Sequence, residues 1–436
     1  MTGNISLLLG AGISIPAGLP STGDITNSLL NGNYCPPQDF TYDYDKEDLE
    51  LIIKYLKLIY SKIEAFYQGR PINYEDIYYV TSQIKDFLIE YENPVVSNFA
   101  DEILDQLSVY RQKGYPVKRY ELMNEDKVSQ RKSVMISSGQ SNEKLELLRG
   151  NKLLTRVANL AAYYINDLTK KSLQIENINT DHLDFIKEIV LDETIDKINI
   201  FTLNHDTLIE RYLKAQELDY YDGFINYADG FSSNDDFEKK RCENYNHIRV
   251  RQENFDENLR VWQPDFINFP GRIRLLKLHG SIDWYKFKRK NIKNYPAYFF
   301  AQVENSMGSK DLFDSKNIIV ESRPLILTGR FNKILEYNRS IYVDLHYYFY
   351  QLLPTASILL ISGYSFNDKG INSWLIDWMY SRYMHRIIFI HPRPEECIKK
   401  ARVGIKDHWN IWEQEGKIKT IPTAIEEFSW RECRDL

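Results

Sequence analysis

The chain has 436 residues, more than one sheet-and-helix domain commonly needs, so we expect a core with a large insertion or a second lobe. Its 55 Lys and Arg and 61 Asp and Glu give a formal net charge of −6, which excludes a global electrostatic attraction to nucleic acid. The four cysteines form no C-x-x-C pair, which argues against a structural zinc site and a disulfide framework and favours a reducing cytoplasm. We find no apolar run long enough to span a bilayer and no targeting segment.

The chain opens with a pattern typical of a strand, a tight turn and a helix. Residues 5–9 are almost all apolar and predict a buried strand, after which Gly10, Ala11 and Gly12 turn the chain. We expect Ser14 to cap a helix that starts late, because prolines interrupt the segment. Glycines at this place let a backbone approach a pyrophosphate at the helix N-terminus, although a plain tight turn explains them equally well.

The middle of the chain changes to a helical period. Apolar residues recur at i, i+3, i+4 and i+7 spacing from about residue 46, and the same spacing resumes after a polar stretch. We therefore predict a helical insertion over residues 46–192.

Apolar runs that predict strands return in the last part of the chain, at residues 197–202, 273–278, 358–362 and 387–390. Runs of this kind suit a parallel sheet that is covered on both faces. The predicted fold class is therefore α/β, with a Rossmann-like parallel sheet, helices on both faces and the large helical insertion. We assign residues 1–30 and 193–400 to the sheet core and residues 401–436 to a C-terminal extension.

Polar side chains follow these strands at the edge where α/β proteins bind ligands. Asn204 follows the second strand and offers both a donor and acceptors, which favours a functional role. Asp206 could hold a sugar hydroxyl, and it could equally cap the next helix.

Two more strand ends carry residues of the same kind. His279 ends the third strand, where a neutral imidazole can accept a proton from a sugar hydroxyl. A lone histidine is more often structural, but the polar strand ends opposite favour function. After the next strand, Gly363 permits close approach and Ser365 can bond a phosphate or a ribose. His391 closes the last strand and either faces the same crevice or packs before Pro392.

Taken in order, these segments resemble the sirtuin-like NAD-binding family: G-A-G-I-S at 10–14, T-x-N-x-D at 202–206, H-G at 279–280 and G-x-S at 363–365. The resemblance covers the sheet core, roughly residues 1–30 and 193–400. It implies that Asn204 orients water or ribose and that His279 is the general base. The residues that it implies for NAD binding are Gly10, Ala11, Gly12, Ser14, Asp206, Gly363, Ser365 and His391.

The chain departs from the protein-deacylating sirtuins at three places. It lacks the two C-x-x-C pairs of their zinc ribbon, residues 19–24 lack the arginine of their D-F-R segment, and Leu203 replaces the usual glutamine. The chain looks more like the bacterial antiphage branch, whose domains hydrolyse NAD to nicotinamide and ADP-ribose. We therefore expect an NAD glycohydrolase that uses NAD as its substrate and needs no metal.

The resemblance leaves other functions and partners open. A non-catalytic module that senses NAD or ADP-ribose is the main alternative, and protein deacylation is disfavoured by the missing cysteines. Too few residues follow the core to form a large fused sensor, so a separate partner is expected, with a HerA-like DNA-translocating ATPase as one candidate. The many tyrosines and phenylalanines of the predicted helical insertion favour self-association into a homo-oligomer. We expect neither a membrane partner nor direct nucleic-acid binding.

Overall fold

The computed structural model describes residues 3–32, 46–67, 72–90, 102–103, 142–174, 178–226, 259–289, 298–303, 317–319, 324–327 and 340–433. The chain divides into two compact units. The sheet unit contains Met1–Ile25, Pro37–Asp43 and Asp167–Leu436, and the helical unit contains Thr26–Pro36 and Tyr44–Asn166. Among the described residues, no helix combines the length and the apolar character needed to cross a bilayer.

The helices of the described residues are α1 (Thr22–Asn31), α2 (Lys46–Tyr67), α3 (Tyr74–Glu90), α4 (Asn142–Leu173), α5 (Asp184–Leu191), α6 (Leu208–Ala215), α7 (Ile341–Leu352), α8 (Lys369–Ser381), α9 (Pro394–Lys400) and α10 (Val403–Gln414). The strands are β1 (Gly3–Leu9), β2 (Ile195–Thr202), β3 (Tyr220–Tyr221), β4 (Phe224–Asn226), β5 (Leu259–Trp262), β6 (Ile273–Lys277), β7 (Trp284–Arg289), β8 (Tyr298–Val303), β9 (Asn317–Ile319), β10 (Ile358–Ser362), β11 (Arg386–Ile390) and β12 (Ile418–Ile421).

The helical unit contains α2, α3 and the first part of α4, all within the segment predicted as a helical insertion. Apolar side chains at helical spacing on α2, such as Ile52, Leu56 and Ile59, are fully buried. The Arg156 guanidinium of α4 lies 2.9 Å from the Asp48 carboxylate of α2, which ties these two helices together. The exact domain limits of the sequence analysis stay a prediction.

A seven-stranded sheet forms the centre of the sheet unit, in the order β12-β11-β10-β1-β2-β6-β3. All of its strand pairs are parallel, and helices flank it. The predicted α/β, Rossmann-like parallel sheet is therefore confirmed. The apolar strands β1, β10 and β11 are almost wholly buried, as expected for parallel strands covered on both faces.

The sheet continues beyond the boundary that the sequence suggested. β12 pairs with β11 in parallel, with Ile387 opposite Ile418 and Ile390 opposite Ile421. The segment predicted as a C-terminal extension, residues 401–436, thus contributes the outermost strand. Its four residues include Lys419 and Thr420 and are all only partly buried, so the strand lacks the strong apolar signal of the others.

The register of the sheet brings the carboxyl ends of its strands into line. Leu9 pairs with Thr202 on one side and with Ser362 on the other. Thr202 pairs in turn with Lys277 of β6. The turns after β1, β2, β6 and β10 therefore leave the sheet at one edge, where doubly wound folds bind ligands.

The turn after β1 differs from its prediction. Residues 11–14 form a short 3-10 helix, and the first α-helix begins only at Thr22. The prediction that Ser14 caps this helix is wrong, because Ser21 and Asp24 form the capping hydrogen bonds: Ser21 N–H donates to Asp24 Oδ2 at 2.9 Å, and Asp24 N–H donates to Ser21 Oγ at 3.2 Å. The Ser14 side chain makes other contacts, which are described with the site.

A second, antiparallel sheet lies in the same unit, in the order β4-β5-β8-β7-β9. Its strands lie between β3 and α7 along the chain, where β6 of the parallel sheet separates β5 from β7. Its core is aromatic: Phe224 contacts Trp262 and Trp284 with ring centroids 5.0 and 4.9 Å apart. β7 starts soon after His279, so this sheet adjoins the ligand edge of the parallel sheet.

Gly363 provides a test of the contact between the turns after β1 and β10. A methyl group on its Cα would lie 2.5 Å from the Ile13 nitrogen, and Gly363 has a φ of 67°. We predict that Gly363→Ala loses the roughly 1–2 kcal/mol of a left-handed conformation and about 1–3 kcal/mol more for the clash. Gly18→Ala is the matched control, since Gly18 has a φ of 85° with no atom near its missing Cβ. Equal losses in urea denaturation of both variants would contradict this packing.

Candidate functional site

Three predicted site residues form one buried hydrogen-bonded group at the carboxyl edge of the sheet. The Ser14 hydroxyl donates to Asp206 Oδ2 at 2.8 Å. Asn204 Nδ2 donates to Ser14 Oγ at 2.9 Å and to the Gly10 carbonyl at 3.0 Å. All three side chains are buried, so the turn after β1 and the turn after β2 are joined away from bulk water.

Asn204 retains one unused acceptor. Its side-chain oxygen Oδ1 is buried and has no hydrogen-bond partner among the described residues, although the residue is only 6% exposed. Buried acceptors of this kind are rare in native proteins and costly to leave unmade. A ligand hydroxyl or a water molecule at this atom would therefore gain a hydrogen bond without displacing one.

Both carboxylate oxygens of Asp206 accept hydrogen bonds from protein groups. Oδ2 accepts from Ser14, and Oδ1 accepts the N–H of Leu208 at 3.0 Å at the start of α6. Of the two roles considered from the sequence, the support of the next helix is present. Direct binding of NAD by Asp206 stays a prediction.

The turn glycines pack against each other. The Gly10 and Gly12 N–H groups donate to the Ser362 and Gly363 carbonyls at 3.0 and 2.9 Å. A Cβ on Gly10 would lie 2.5 Å from the Gly363 carbonyl oxygen, so these glycines permit close approach of two backbones. Ala11 is exposed at the tip of the turn. A diphosphate at this turn would be held by groups other than the two engaged amides, and the predicted role of this turn in NAD binding stays a prediction.

His279 lies on the neighbouring strand end. β2 and β6 are adjacent, and the Leu278 N–H donates to the Thr202 carbonyl at 2.9 Å, so the turns that carry Asn204 and His279 leave the sheet side by side. The His279 side chain is buried, and its ring centroid lies 6.3 Å from that of His205. A histidine at this place can serve as an acid or a base.

Asp368 is a site residue that the sequence analysis did not single out. Its Oδ2 lies 3.1 Å from His279 Nε2. Its Oδ1 accepts the N–H groups of Gly370 and Ile371 at 2.9 and 3.1 Å, which caps α8. An aspartate shortly after a strand is compatible with a helix cap, and such a pattern does not reveal a histidine that is distant in sequence.

His346 of α7 is a second such residue. Burial, reinforced by the neighbouring His279 ring, lowers the pKa of His346 to about 3, although the nearby Asp368 and the Leu278 backbone oppose the shift. The imidazole is therefore neutral near pH 7. No local sequence pattern distinguishes this histidine from others on an amphipathic helix.

Ser365 and His391 make their contacts within their own turns. Ser365 is exposed, and its hydroxyl accepts from Asn367 Nδ2 at 2.9 Å. The His391 ring stacks on Phe389 with centroids 5.7 Å apart, and its Nδ1 accepts the Arg393 N–H at 2.9 Å. Burial lowers the pKa of His391. Their predicted roles in NAD binding stay predictions.

A buried ion pair lies beneath the Asn204–Asp206 turn. Lys277, the last residue of β6, is 1% exposed and donates to Glu210 Oε1 at 2.7 Å and to the Asp206 carbonyl. Burial opposes the charge on Lys277, but Glu210, Asp283 and Asp206 together raise its pKa. The lysine thus anchors the turn between two strands and α6. The apolar run around Lys277 predicted only a strand.

A family model described as a SIR2-like domain matches residues 198–416, which is half of the chain. The match contains Asn204, Asp206, His279, Gly363 and His391 and begins after the β1 turn. A SIR2-like domain implies NAD binding or use. No significant match to a curated protein was found. Within the described part of the chain, no group of three or more His, Cys, Asp or Glu side chains is arranged to hold a metal ion.

His346 gives the protein a measurable acid sensitivity. Its pKa is depressed in the folded state to about 3, below the unfolded value near 6.5, so the unfolded state binds the extra proton as pH falls. The stability that depends on neutral His346 is therefore complete above about pH 6.5 and is lost progressively as pH falls towards 3. We predict that His346→Gln flattens the free energy of unfolding between pH 6.5 and 4, measured by urea titration. His408→Gln on α10 is the control, and equal pH slopes for wild type and His346→Gln would contradict the assignment.

The Lys277–Glu210 pair allows a second stability test. Lys277→Met leaves the Glu210 carboxylate uncompensated in the interior, so we expect a loss of about 3–5 kcal/mol. The double variant with Glu210→Leu should recover much of this loss, because both charges are then absent. Arg393→Met breaks the exposed pair with Glu396 and should cost less than about 1 kcal/mol. If the double variant is as unstable as Lys277→Met, the loss comes from packing and not from the charge.

Proposed function

The chain belongs to the SIR2-like domain family, and we propose that it is an NAD glycohydrolase that cleaves NAD to nicotinamide and ADP-ribose. The observation that carries the proposal is the buried Asn204 side chain, which is fixed by Ser14 and Gly10 and keeps Oδ1 for a ligand. On the adjacent strand end, His279 faces Asp368. A fixed amide and a titratable imidazole at one sheet edge suit hydrolysis of a sugar bond.

The residues present fit NAD through hydrogen bonding. A ribose hydroxyl or the attacking water can donate to Asn204 Oδ1, which has no described partner to give up. Because Nδ2 already donates to two protein oxygens, the side-chain amide cannot rotate by about 180° without losing both hydrogen bonds. Asn204 is thus preorganised as an acceptor, and this is the role we assign to it.

His279 supplies the proton-accepting group. Bound NAD supplies an N-glycosidic bond whose hydrolysis consumes one water and releases nicotinamide, ADP-ribose and a proton. His279 takes this proton in its neutral form, from the water or from a ribose hydroxyl. Positioned acid–base help of this kind contributes roughly 10²- to 10⁴-fold in rate.

Hydrolysis is preferred over deacylation of a protein for a reason in the sequence. The four cysteines include no C-x-x-C pair, so the chain lacks the zinc ribbon of the deacylating relatives. With no such module to form a peptide site, water is the acceptor that we assign to the ADP-ribosyl group.

We further propose that this NAD hydrolase acts as the toxic effector of a cytoplasmic antiphage system, as a homo-oligomer with a HerA-like DNA-translocating ATPase. The support is the resemblance of the ordered motifs to that branch. Co-expression with the neighbouring gene product, followed by size-exclusion chromatography with light scattering, tests the assembly. A monomer that binds no such ATPase would overturn this part and leave the hydrolase proposal standing.

The enzymatic proposal predicts the effects of two substitutions. Asn204→Ala removes the fixed acceptor and His279→Ala removes the base, so each should reduce the release of nicotinamide from NAD by at least about 10²-fold. The assay is chromatographic detection of nicotinamide, with the protein alone and with its ATPase partner. Asn410→Ala and His408→Ala on α10 are matched controls that should keep wild-type turnover.

Two outcomes would contradict the proposal. Retained turnover in both Asn204→Ala and His279→Ala would remove the assigned residues from the reaction. Tight NAD binding by calorimetry with no nicotinamide release in any assembly would instead favour the sensing module.

A further inference from the structure

We propose that Asp368 is a positioning residue for His279, whose carboxylate fixes the imidazole with Nε2–H towards Asp368 and stabilises the imidazolium formed when the ring accepts a proton. The proton step rests on the proposed hydrolase function. The fixed orientation of the ring does not, and it can be tested without turnover.

The geometry of the pair supports this role. Asp368 Oδ2 lies 3.1 Å from His279 Nε2, and the two side chains are 5% and 4% exposed. A carboxylate accepts and does not donate, so Nε2 carries the hydrogen in this contact. In the neutral ring the lone pair then lies on Nδ1, which is the nitrogen that gains the proton. Away from water, a hydrogen bond to a charged acceptor is stronger than one between neutral groups.

Asp368 itself is held firmly. Its Oδ1 accepts two N–H groups at the start of α8, so the carboxylate cannot rotate without uncapping the helix. The Tyr364 hydroxyl donates to the Asp368 carbonyl at 3.3 Å. The loop before it contains Phe366 at a φ of 54°, a strained conformation that Asn372 Nδ2 secures by donating to the Phe366 carbonyl at 2.8 Å.

Among the described groups around His279, Asp368 is a carboxylate within hydrogen-bond distance of the ring. His346 packs from α7, and His205 lies in the turn after β2 with its ring centroid 6.3 Å from that of His279. Burial keeps His346 neutral, so it adds no positive charge that would oppose protonation of His279. Asp368 therefore compensates the imidazolium, as the aspartate does in hydrolases that pair it with a histidine base.

The proton moves first to His279 and then to solvent. The bond between ribose C1′ and the nicotinamide nitrogen breaks, so that nicotinamide leaves, and a bond forms between C1′ and the water oxygen. One O–H bond of that water breaks, and its proton adds to His279 Nδ1. Asp368 keeps its negative charge throughout and accepts no proton. The imidazolium returns the proton to solvent when products leave, and no oxidation or reduction takes place.

The test uses two variants of Asp368 in the 436-residue chain, alone and with the proposed ATPase. Asp368→Asn keeps the helix cap and the side-chain shape but removes the charge, and Asp368→Ser keeps a cap but is too short to reach His279. Both should lower kcat by roughly 10²- to 10⁴-fold with little change in KM. In Asp368→Asn the acidic limb of the pH–rate profile should also move to lower pH, because the carboxylate no longer favours the protonated ring. Asp24→Asn, at the exposed cap of α1, is the control and should behave as wild type.

A spectroscopic measurement separates this proposal from the hydrolase assignment. In protein labelled with ¹⁵N in the histidine rings, wild type should show a downfield proton bonded to Nε2 that disappears in both His279→Gln and Asp368→Asn. If neither wild type nor any variant hydrolyses NAD, but the Nε2–H signal is present in wild type and absent in both variants, the hydrolase proposal fails. The positioning of His279 by Asp368 then stands. Wild-type kcat and pH profile in Asp368→Asn, or an unchanged Nε2–H signal in that variant, would overturn the role of Asp368.

Discussion

The turns after β1 and β10 meet backbone to backbone, and the arrangement of the site depends on this contact. Gly12 donates to the Gly363 carbonyl at 2.9 Å, and neither Gly10 nor Gly363 has room for a side chain. β1 lies between β10 and β2 in the sheet. The contact with the β10 turn therefore fixes the β1 turn next to the turn after β2. His182 supports the same turn, with its Nε2 2.9 Å from the Ile13 carbonyl. The Ser14 hydroxyl thereby lies within hydrogen-bond distance of Asn204 Nδ2 and Asp206 Oδ2.

The polar groups of this edge are organised so that most of them satisfy one another. Asp206 is engaged by Ser14 and Leu208, its carbonyl by Lys277, and Asp368 by the start of α8 and by His279. A buried network in which nearly every polar atom has a hydrogen-bond partner is rigid. An atom without a partner in such a network is a candidate for contact with a ligand. Asn204 Oδ1 is such an atom, and it lies at the carboxyl edge where parallel sheets bind ligands.

The sequence predicted the parts of this fold that are encoded locally. Apolar runs identified β1, β10 and β11, since these strands are almost wholly buried and read as nearly continuous apolar sequence. β2 and β6 were identified from apolar residues that polar ones interrupt. The polar residues after those strands were placed correctly at one edge, because the carboxyl ends of parallel strands coincide. β12 was not predicted, because its short, half-buried sequence gives only a weak apolar pattern. The antiparallel sheet was not predicted either: β4 and β9 have only three residues each, although β7 and β8 have six.

The contacts of the site were less predictable, since they join residues distant in sequence. The partners Lys277 and Glu210 are 67 positions apart, and His279 and Asp368 are 89 apart. Local rules did not single out Asp368 and gave Ser14 a cap that it does not make. The Ser14 prediction failed because Ser21 and Asp24 form a closer cap for α1, which frees the Ser14 hydroxyl for Asp206.

The most direct test of the central claim is a crystal structure of the His279→Ala variant with bound NAD, in which turnover is blocked and the substrate is retained. We predict a ribose hydroxyl, or a water next to the nicotinamide ribose, within hydrogen-bond distance of Asn204 Oδ1, with the N-glycosidic bond facing the space left by the imidazole. NAD bound away from this edge, or an Asn204 Oδ1 that instead contacts a protein group in the complex, would contradict the account.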